Sequence, residues 1–109
     1  MAISIYLVNS LNHCLGKWVS LPCSPSILET VLDEINANAS HEYAILETIC
    51  NVEGISVCVN KHTSLAELNE AAFLLQQLSL SKLNKVMVFI SDKAPNMTSL
   101  LLYLQSLYS

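Results

Sequence analysis

The sequence contains no arginine and only two glycines, and charged residues make up 13% of its 109 residues. Arginine is the preferred side chain for bidentate contacts with phosphate and guanine, and affinity for nucleic acid depends on cationic side chains. The sequence has five lysines and nine acidic residues, so its net charge is −4. This negative charge argues against direct binding of DNA or RNA. A glycine-rich phosphate-binding loop is excluded because Gly16 and Gly54 stand far apart.

The cysteines and histidines lack the short paired spacings that are typical of structural zinc sites. Cys14 directly follows His13, and Cys58 lies four residues before His62. Neighbours in sequence do not make a catalytic pair, however, because the fold has to assemble one. Cys58 lies in an apolar run and is most simply a small core residue. We therefore predict a protein that is not an enzyme, with no catalytic residues, no metal and no cofactor.

The sequence has no hydrophobic run long enough to cross a membrane, which takes about 20 residues. The longest apolar runs are Val86–Ile90 and Leu100–Leu104. Met1–Ile5 carries no positive charge before its apolar residues, so we expect no signal peptide. Cysteines without a secretory signal indicate free thiols in a reducing compartment. These features favour a cytoplasmic protein that does not contact a membrane.

Apolar residues are abundant, at 52% of the chain. Such a composition excludes disorder, which requires the opposite balance of apolar and charged residues. A single small domain with so few charged side chains has to expose some apolar surface, and exposed apolar patches mark contact sites. We therefore expect either a homodimer or a complex with a protein partner.

Residues 1–62 have the pattern of an antiparallel sheet with one helix. Alternation from Ile3 to Leu7 is typical of a strand with one buried face. A capping box at Ser26 and Glu29 predicts the start of a helix that continues to Ile35. We predict four strands, over residues 3–8, 17–21, 42–48 and 55–59. A small antiparallel sheet with one packed helix is an α+β fold.

Residues 63–109 have the pattern of a short helical module, which either follows residues 1–62 as a second unit or forms one compact unit with them. Ser64 and Glu67 form a second capping box, and Ser81 is a candidate cap for a further helix. Val86–Ile90 is rich enough in β-branched residues to be a strand instead, so both interpretations stay open. Met97–Tyr108 is apolar nearly all round, which is typical of a central helix or of an interface. The residues predicted to mediate self-association are Leu101, Tyr103, Leu104 and Tyr108.

Four motifs occur in an order and spacing that are typical of one family. They are Ile5-Tyr6-Leu7-Val8-Asn9, then Gly16-Lys17-Trp18 with Leu21-Pro22, then Glu42-Tyr43-Ala44-Ile45, and finally Ser64-Leu65-Ala66-Glu67-Leu68-Asn69-Glu70. On these motifs, residues 3–80 resemble the N-terminal and middle modules of ArdA-type antirestriction proteins. The resemblance implies a sheet-plus-helix module followed by a small helical module. It also implies inhibition of restriction–modification enzymes by imitation of bent duplex DNA.

The function that this resemblance implies is anti-defence: binding a restriction–modification enzyme or a CRISPR effector complex and blocking its access to DNA. The carboxylates predicted to contact that partner are Glu29, Asp33, Glu34, Glu42, Glu47, Glu67 and Glu70. Trp18 and Tyr43 match family positions and are expected to be half-buried. The alternative is a non-catalytic interaction module that uses an apolar surface on the same scaffold. A domain of this size is about 35 Å long, and duplex DNA of that length carries roughly 20 negative charges. The chain has nine carboxylates, which are too few to match the charge of the duplex.

Overall fold

The structure, a computed structural model, describes residues 3–37, 42–50, 52 and 54–108, and for Tyr108 it describes the backbone only. Three strands and four α-helices are present in these residues. In chain order they are β1 (Ile3–Asn9), β2 (Asn12–Leu21), α1 (Pro25–Glu34), β3 (Tyr43–Cys50), a 3₁₀ turn (Ile55–Cys58), α2 (Leu65–Gln76), α3 (Leu80–Lys93) and α4 (Met97–Tyr108). The predicted α+β class, with an antiparallel sheet, a packed helix and a helical C-terminal part, is confirmed.

β1 is the central strand of the sheet and pairs antiparallel with β2 on one side and β3 on the other. The predicted alternation in β1 is confirmed, because Ile3, Ile5 and Leu7 are almost fully buried on the face that the helices cover. The pairing of β1 with β3 shifts register after Tyr6, which leaves Leu46 as the extra residue of a β-bulge.

The predicted fourth strand at residues 55–59 is wrong, because Ile55–Cys58 forms a turn of 3₁₀ helix. Gly54 turns the chain into it with φ of 88°, a left-handed conformation that favours glycine. Ile55 and Cys58 are both buried, and their spacing of three matches the period of a 3₁₀ helix. The same run of apolar residues also reads as a strand, which explains the error.

The second strand begins earlier than predicted, at Asn12 instead of Lys17. Its first residues are exposed, including His13 and Cys14, so hydrophobic patterning gives no signal there. They follow a tight turn from β1, and the β1–β2 pairing contains an irregularity beside Val8 and Asn9. Backbone hydrogen bonds extend a hairpin even where the side chains are polar.

The helix caps differ from the predicted ones at α1 and α3. α1 begins at Pro25 after Ser24, because proline fits the first helical position, and so the Ser26 capping box is wrong. Ser64 does cap α2, accepting a hydrogen bond from the backbone nitrogen of Glu67. α3 begins after Ser79, not at the predicted Ser81.

Of the two interpretations of Val86–Ile90, the helix is correct, because these residues lie within α3. The buried residues of α3 are Leu83, Val86 and Ile90, at spacings of three and four that form one helical stripe. The predicted span of the last helix, Met97–Tyr108, is confirmed as α4.

One continuous core runs through the predicted units 1–62 and 63–109. α1 contributes its buried side chains Leu28, Val31 and Leu32 to the same cluster as the covered face of the sheet. α2 and α4 supply much of the remainder, including Leu68 and Leu100, which are fully buried. The described chain measures 40 × 24 × 20 Å along its principal axes.

Tyr43 joins the sheet to the helical part. Its hydroxyl donates to the Thr63 carbonyl at 3.1 Å and accepts from the Leu65 backbone nitrogen at 3.2 Å. We expect Tyr43→Phe to lower the free energy of unfolding by about 2 kcal/mol, because two buried backbone groups lose their partner while the ring still packs. Urea unfolding followed by circular dichroism measures this change. An unaltered urea midpoint would contradict the stabilising role assigned to the two hydrogen bonds of the Tyr43 hydroxyl.

Candidate docking surfaces

The residues of the four family-like motifs include several that hold the scaffold together. Asn9 is buried at the end of β1, and its side-chain amide donates to the Ile35 and Asn36 carbonyls at 3.0 and 2.9 Å. Its side-chain oxygen accepts from the backbone nitrogens of Leu11 and Asn12 at 2.8 and 3.2 Å. One side chain thus ties the hairpin turn to the end of α1.

Asn69 makes the corresponding tie between α2 and the segment that leads into α1. Its side-chain amide donates to the Cys23 carbonyl at 2.8 Å, and its oxygen accepts from the Cys23 nitrogen at 2.9 Å. These two hydrogen bonds give both the backbone N–H and the backbone carbonyl of Cys23 a partner that lies 46 positions away in the sequence. Asn69 therefore sets the spacing between α1 and α2.

The open face of the sheet, opposite the helices, carries an aromatic pair. Tyr6 of β1 lies between Trp18 of β2 and Glu47 of β3 in one row across the strands. The Tyr6 and Trp18 ring centroids are 5.3 Å apart with a tilt of 50°. Trp18 is 47% exposed, which agrees with the predicted half-burial. The same prediction is wrong for Tyr43, which is buried at 5% exposure. In the adjacent row Ile49 is 55% exposed.

Gly16 gives the Tyr6 ring its place on this face. A Cβ atom at Gly16 would lie 2.6 Å from the Tyr6 hydroxyl oxygen and 2.8 Å from the nearest side-chain carbon of Val8. The ring therefore occupies the space that a larger residue would fill. We define the open-face patch as Tyr6, Trp18, Glu47 and Ile49, an aromatic and aliphatic surface with one carboxylate.

A second surface feature is a groove of about 560 Å³ between α1 and α2. It is lined by Pro22, Cys23, Pro25, Leu28, Glu29, Leu32, Leu65, Ala66, Asn69, Glu70 and Phe73. Its leucines are nearly buried, whereas the Phe73 ring is 51% exposed. The groove lies where the sheet-plus-helix part meets the helical part, at the junction that Asn69 holds.

Of the predicted acidic residues, Glu29 and Glu70 come together at this groove. Asp33 is exposed on α1 but does not line it. Glu42 is half-buried just before β3, and its backbone carbonyl accepts from the Ser10 nitrogen at 2.9 Å.

The other predicted carboxylates lie elsewhere and have different surroundings. Glu34 of α1 forms an ion pair with Lys17 of β2. Glu67 accepts a hydrogen bond of 3.1 Å from the Thr98 hydroxyl, which links α2 to the start of α4. Glu47 belongs to the open-face patch. The seven residues therefore do not form one continuous acidic stripe.

The residues predicted to mediate self-association are mostly committed to the chain's own core, and that assignment needs correction. Leu104 is fully buried and Leu101 is 7% exposed, so neither is free to contact a second chain. Tyr103 is half-buried and stacks on Phe89 of α3, with ring centroids 4.1 Å apart. The side chain of Tyr108 lies outside the described residues. The exposed apolar residue of this helix is Leu102, at 64% exposure.

The thiols differ in their exposure. Cys58 packs in the core, and its thiol donates to the Gly54 carbonyl at 3.9 Å. Burial raises the pKa of the Cys58 and Cys23 thiols, which disfavours the reactive thiolate form. Cys14 is exposed on β2. Within the described residues, no group of three or more histidine, cysteine or acidic side chains is placed to hold a metal ion.

Another surface depression, of about 930 Å³, lies beside α3 and the 3₁₀ turn. Its lining includes Val57 and Val88, which are 72% and 67% exposed. Asn84, Val88 and Asp92 also line a smaller depression next to the Phe89–Tyr103 stack. Exposed apolar surface thus occurs on this side of α3 as well as on the open-face patch and in the α1–α2 groove.

Sequence reasoning missed Asn69 and Phe73 as groove residues and did not recognise the role of Asn9. A signal existed for Asn9, because asparagine after an apolar strand is typical of a turn in which its side chain bonds the backbone two residues on. No local signal marks Asn69, whose partner is distant in sequence. Phe73 reads as one more apolar residue of a helix.

Comparison of the chain with protein-family models, with curated proteins and with solved structures finds no match. Among the helices of the described residues, none combines the length and the apolar character needed to cross a membrane.

Proposed function

We propose that the chain is a non-catalytic anti-defence protein, which binds a bacterial restriction–modification enzyme or CRISPR effector complex and blocks its access to DNA. The observation that carries the proposal is the agreement between the family-like motifs and the architecture. A three-stranded sheet with one helix is followed by helices, which is the module order that the ArdA resemblance implies. Motif residues Asn9, Tyr43 and Asn69 make the ties that hold this arrangement.

The mode of binding proposed is apolar contact with little DNA-like charge. DNA as long as the 40 Å chain carries roughly 24 negative charges at one per ~1.7 Å. The chain has nine carboxylates, and Glu34 among them is paired with Lys17. The open-face patch offers instead a large aromatic residue, and tryptophan and tyrosine are enriched among the residues that dominate protein interfaces.

The test is protection of an unmodified phage in cells that carry a type I restriction–modification system or a CRISPR effector. Expression of the chain is expected to raise plating efficiency at least about tenfold in one of these systems. Unaltered plating in every system would rule out the anti-defence function.

The open-face patch is tested by the double variant Trp18→Ala/Ile49→Ser. Losing a buried tryptophan contact costs about 2 kcal/mol or more at an interface, so protection is expected to fall at least about tenfold. Leu80→Ser is the matched control, because Leu80 is an exposed apolar residue, at 75% exposure, on α3. Equal protection by the double variant and the control would exclude the patch as the contact. Circular dichroism of each variant checks that the fold is kept.

A second candidate function is an interaction module with a partner outside bacterial defence, using the same apolar surface. The low content of charged residues favours this candidate, because an interface made of apolar contacts does not require acidic side chains. Both candidates predict that binding through the open-face patch persists at high salt, since buried apolar contacts are not screened. Steep salt-dependent loss of the contact that Trp18→Ala/Ile49→Ser removes would instead indicate charge-based mimicry at this patch.

A further inference from the structure

The α1–α2 groove combines an apolar floor with uncompensated negative charge. Leu28, Leu32 and Leu65 line it with at most 9% exposure each, so the floor is built from side chains that also belong to the core. Glu29 and Glu70 line the same groove and are both exposed. An apolar floor with charged sides is the surface that an amphipathic segment fits.

Among the described residues, no lysine neutralises the negative charge of the groove. None of the lysines lines it, and Lys17, which lies on β2, is paired with Glu34. The ion pairs of the described residues include neither Glu29 nor Glu70. Two carboxylates are therefore available to an incoming cation.

Phe73 adds a third recognition element, because its ring lines the groove while half of its surface faces solvent. The face of an aromatic ring attracts an arginine or lysine cation within about 6 Å of its centre. Together the groove offers an apolar slot, an aromatic face and two carboxylates, and each of these complements a part of a basic amphipathic peptide.

We propose that the α1–α2 groove binds a basic amphipathic segment of a protein partner, with an apolar side chain on the leucine floor and arginine or lysine side chains at Glu29, Glu70 and Phe73. Only the identification of that partner as a defence complex rests on the function proposed above. The groove is distinct from the open-face patch, so the two surfaces can be tested separately.

The first experiment measures binding of a short fluorescent peptide of leucine and arginine, patterned as an amphipathic helix, by anisotropy. Glu29→Gln/Glu70→Gln is expected to weaken binding at least about tenfold, and Phe73→Ala about fivefold, because charge pairing and cation–π attraction are lost. The matched control Asp33→Asn/Asp92→Asn removes the same charge at exposed positions of α1 and α3 outside the groove, and binding is expected to change less than twofold. A peptide with glutamine in place of arginine is expected to bind at least about tenfold more weakly.

Equal weakening by the groove variant and the control variant would overturn the proposal, because it would indicate nonspecific attraction to net negative charge. Undiminished binding to the groove variant would overturn it as well. Circular dichroism confirms that each variant is folded before its affinity is compared.

The native cysteines provide a second readout without any substitution. Cys23 lines the groove, whereas Cys14 is exposed on β2 and does not line it. Saturating leucine–arginine peptide is expected to slow alkylation of Cys23 by iodoacetamide at least about threefold and to leave Cys14 unchanged, as measured by mass spectrometry. No slowing at Cys23, or equal slowing at both thiols, would place the peptide elsewhere. Peptide binding in the groove without phage protection would contradict the anti-defence function alone.

Discussion

Asn9→Ala is expected to lower the free energy of unfolding by about 3 kcal/mol and the melting temperature by about 10 °C. The wild-type side chain makes four hydrogen bonds of 2.8 to 3.2 Å, and alanine replaces none of them. Each bond contributes about 1 kcal/mol net, and a buried partner left without a bond costs more.

The position of Asn9 makes this loss larger than that of an ordinary surface asparagine. The carbonyls of Ile35 and Asn36 lie at the end of α1, where a helix leaves its last carbonyls without intrahelical partners. Asn36 has φ of 55°, a left-handed conformation that asparagine tolerates and that ends the helix. Asn9 satisfies both carbonyls from the sheet, so its removal loosens the contact of α1 with β1.

Asn12→Ala is the matched control, because its side-chain oxygen accepts only an exposed local bond from the Cys14 nitrogen. Its unfolding free energy is expected to stay within about 0.5 kcal/mol of the wild type. Asn9→Asp is expected to fall between the two, since aspartate keeps the acceptor for the turn but cannot donate to α1. Equal stability of Asn9→Ala and Asn12→Ala in urea unfolding would refute the role assigned to Asn9.

Elements with a long and regular apolar period could be predicted from the sequence, and short ones could not. α4 has its predicted span because apolar residues recur throughout it. The strand predicted over residues 55–59 is wrong because a run this short does not separate a period of two from the period of three that Ile55–Cys58 has. Val86–Ile90 is helical despite its β-branched residues, since packing of its buried stripe outweighs local propensity.

The candidate site was less predictable than the fold, because a surface depends on which residues the fold leaves uncovered. Trp18 and Tyr43 have similar sequence contexts on strands, yet the first faces solvent and the second the core. The acidic residues Glu29 and Glu70 are 41 positions apart and meet at one groove through the packing of α1 and α2. Neither outcome has a local signal in the sequence.

The same difficulty explains why the sequence predicts an interface role for Leu104, which the structure contradicts. A helix that is apolar nearly all round does not show in sequence which residues face its own core. Leu104 is fully buried in the monomer, and α4 packs against α2 in the shared core. Leu104→Ala is therefore expected to lower the free energy of unfolding by about 3 kcal/mol, the cost of lost burial plus a cavity.

Leu102→Ala is the comparison that separates core from surface on this helix. Leu102 is 64% exposed, so its truncation is expected to change the free energy of unfolding by less than about 0.5 kcal/mol. If two copies associate through α4, the exposed Leu102 is the residue that contacts the second chain, and Leu102→Glu would then lower the mass measured by sedimentation. A neutral Leu104→Ala together with a destabilising Leu102→Ala would mean that α4 is rotated about its axis relative to this packing. The stability of these two variants thus determines which face of α4 the core occupies and which face is left for a partner.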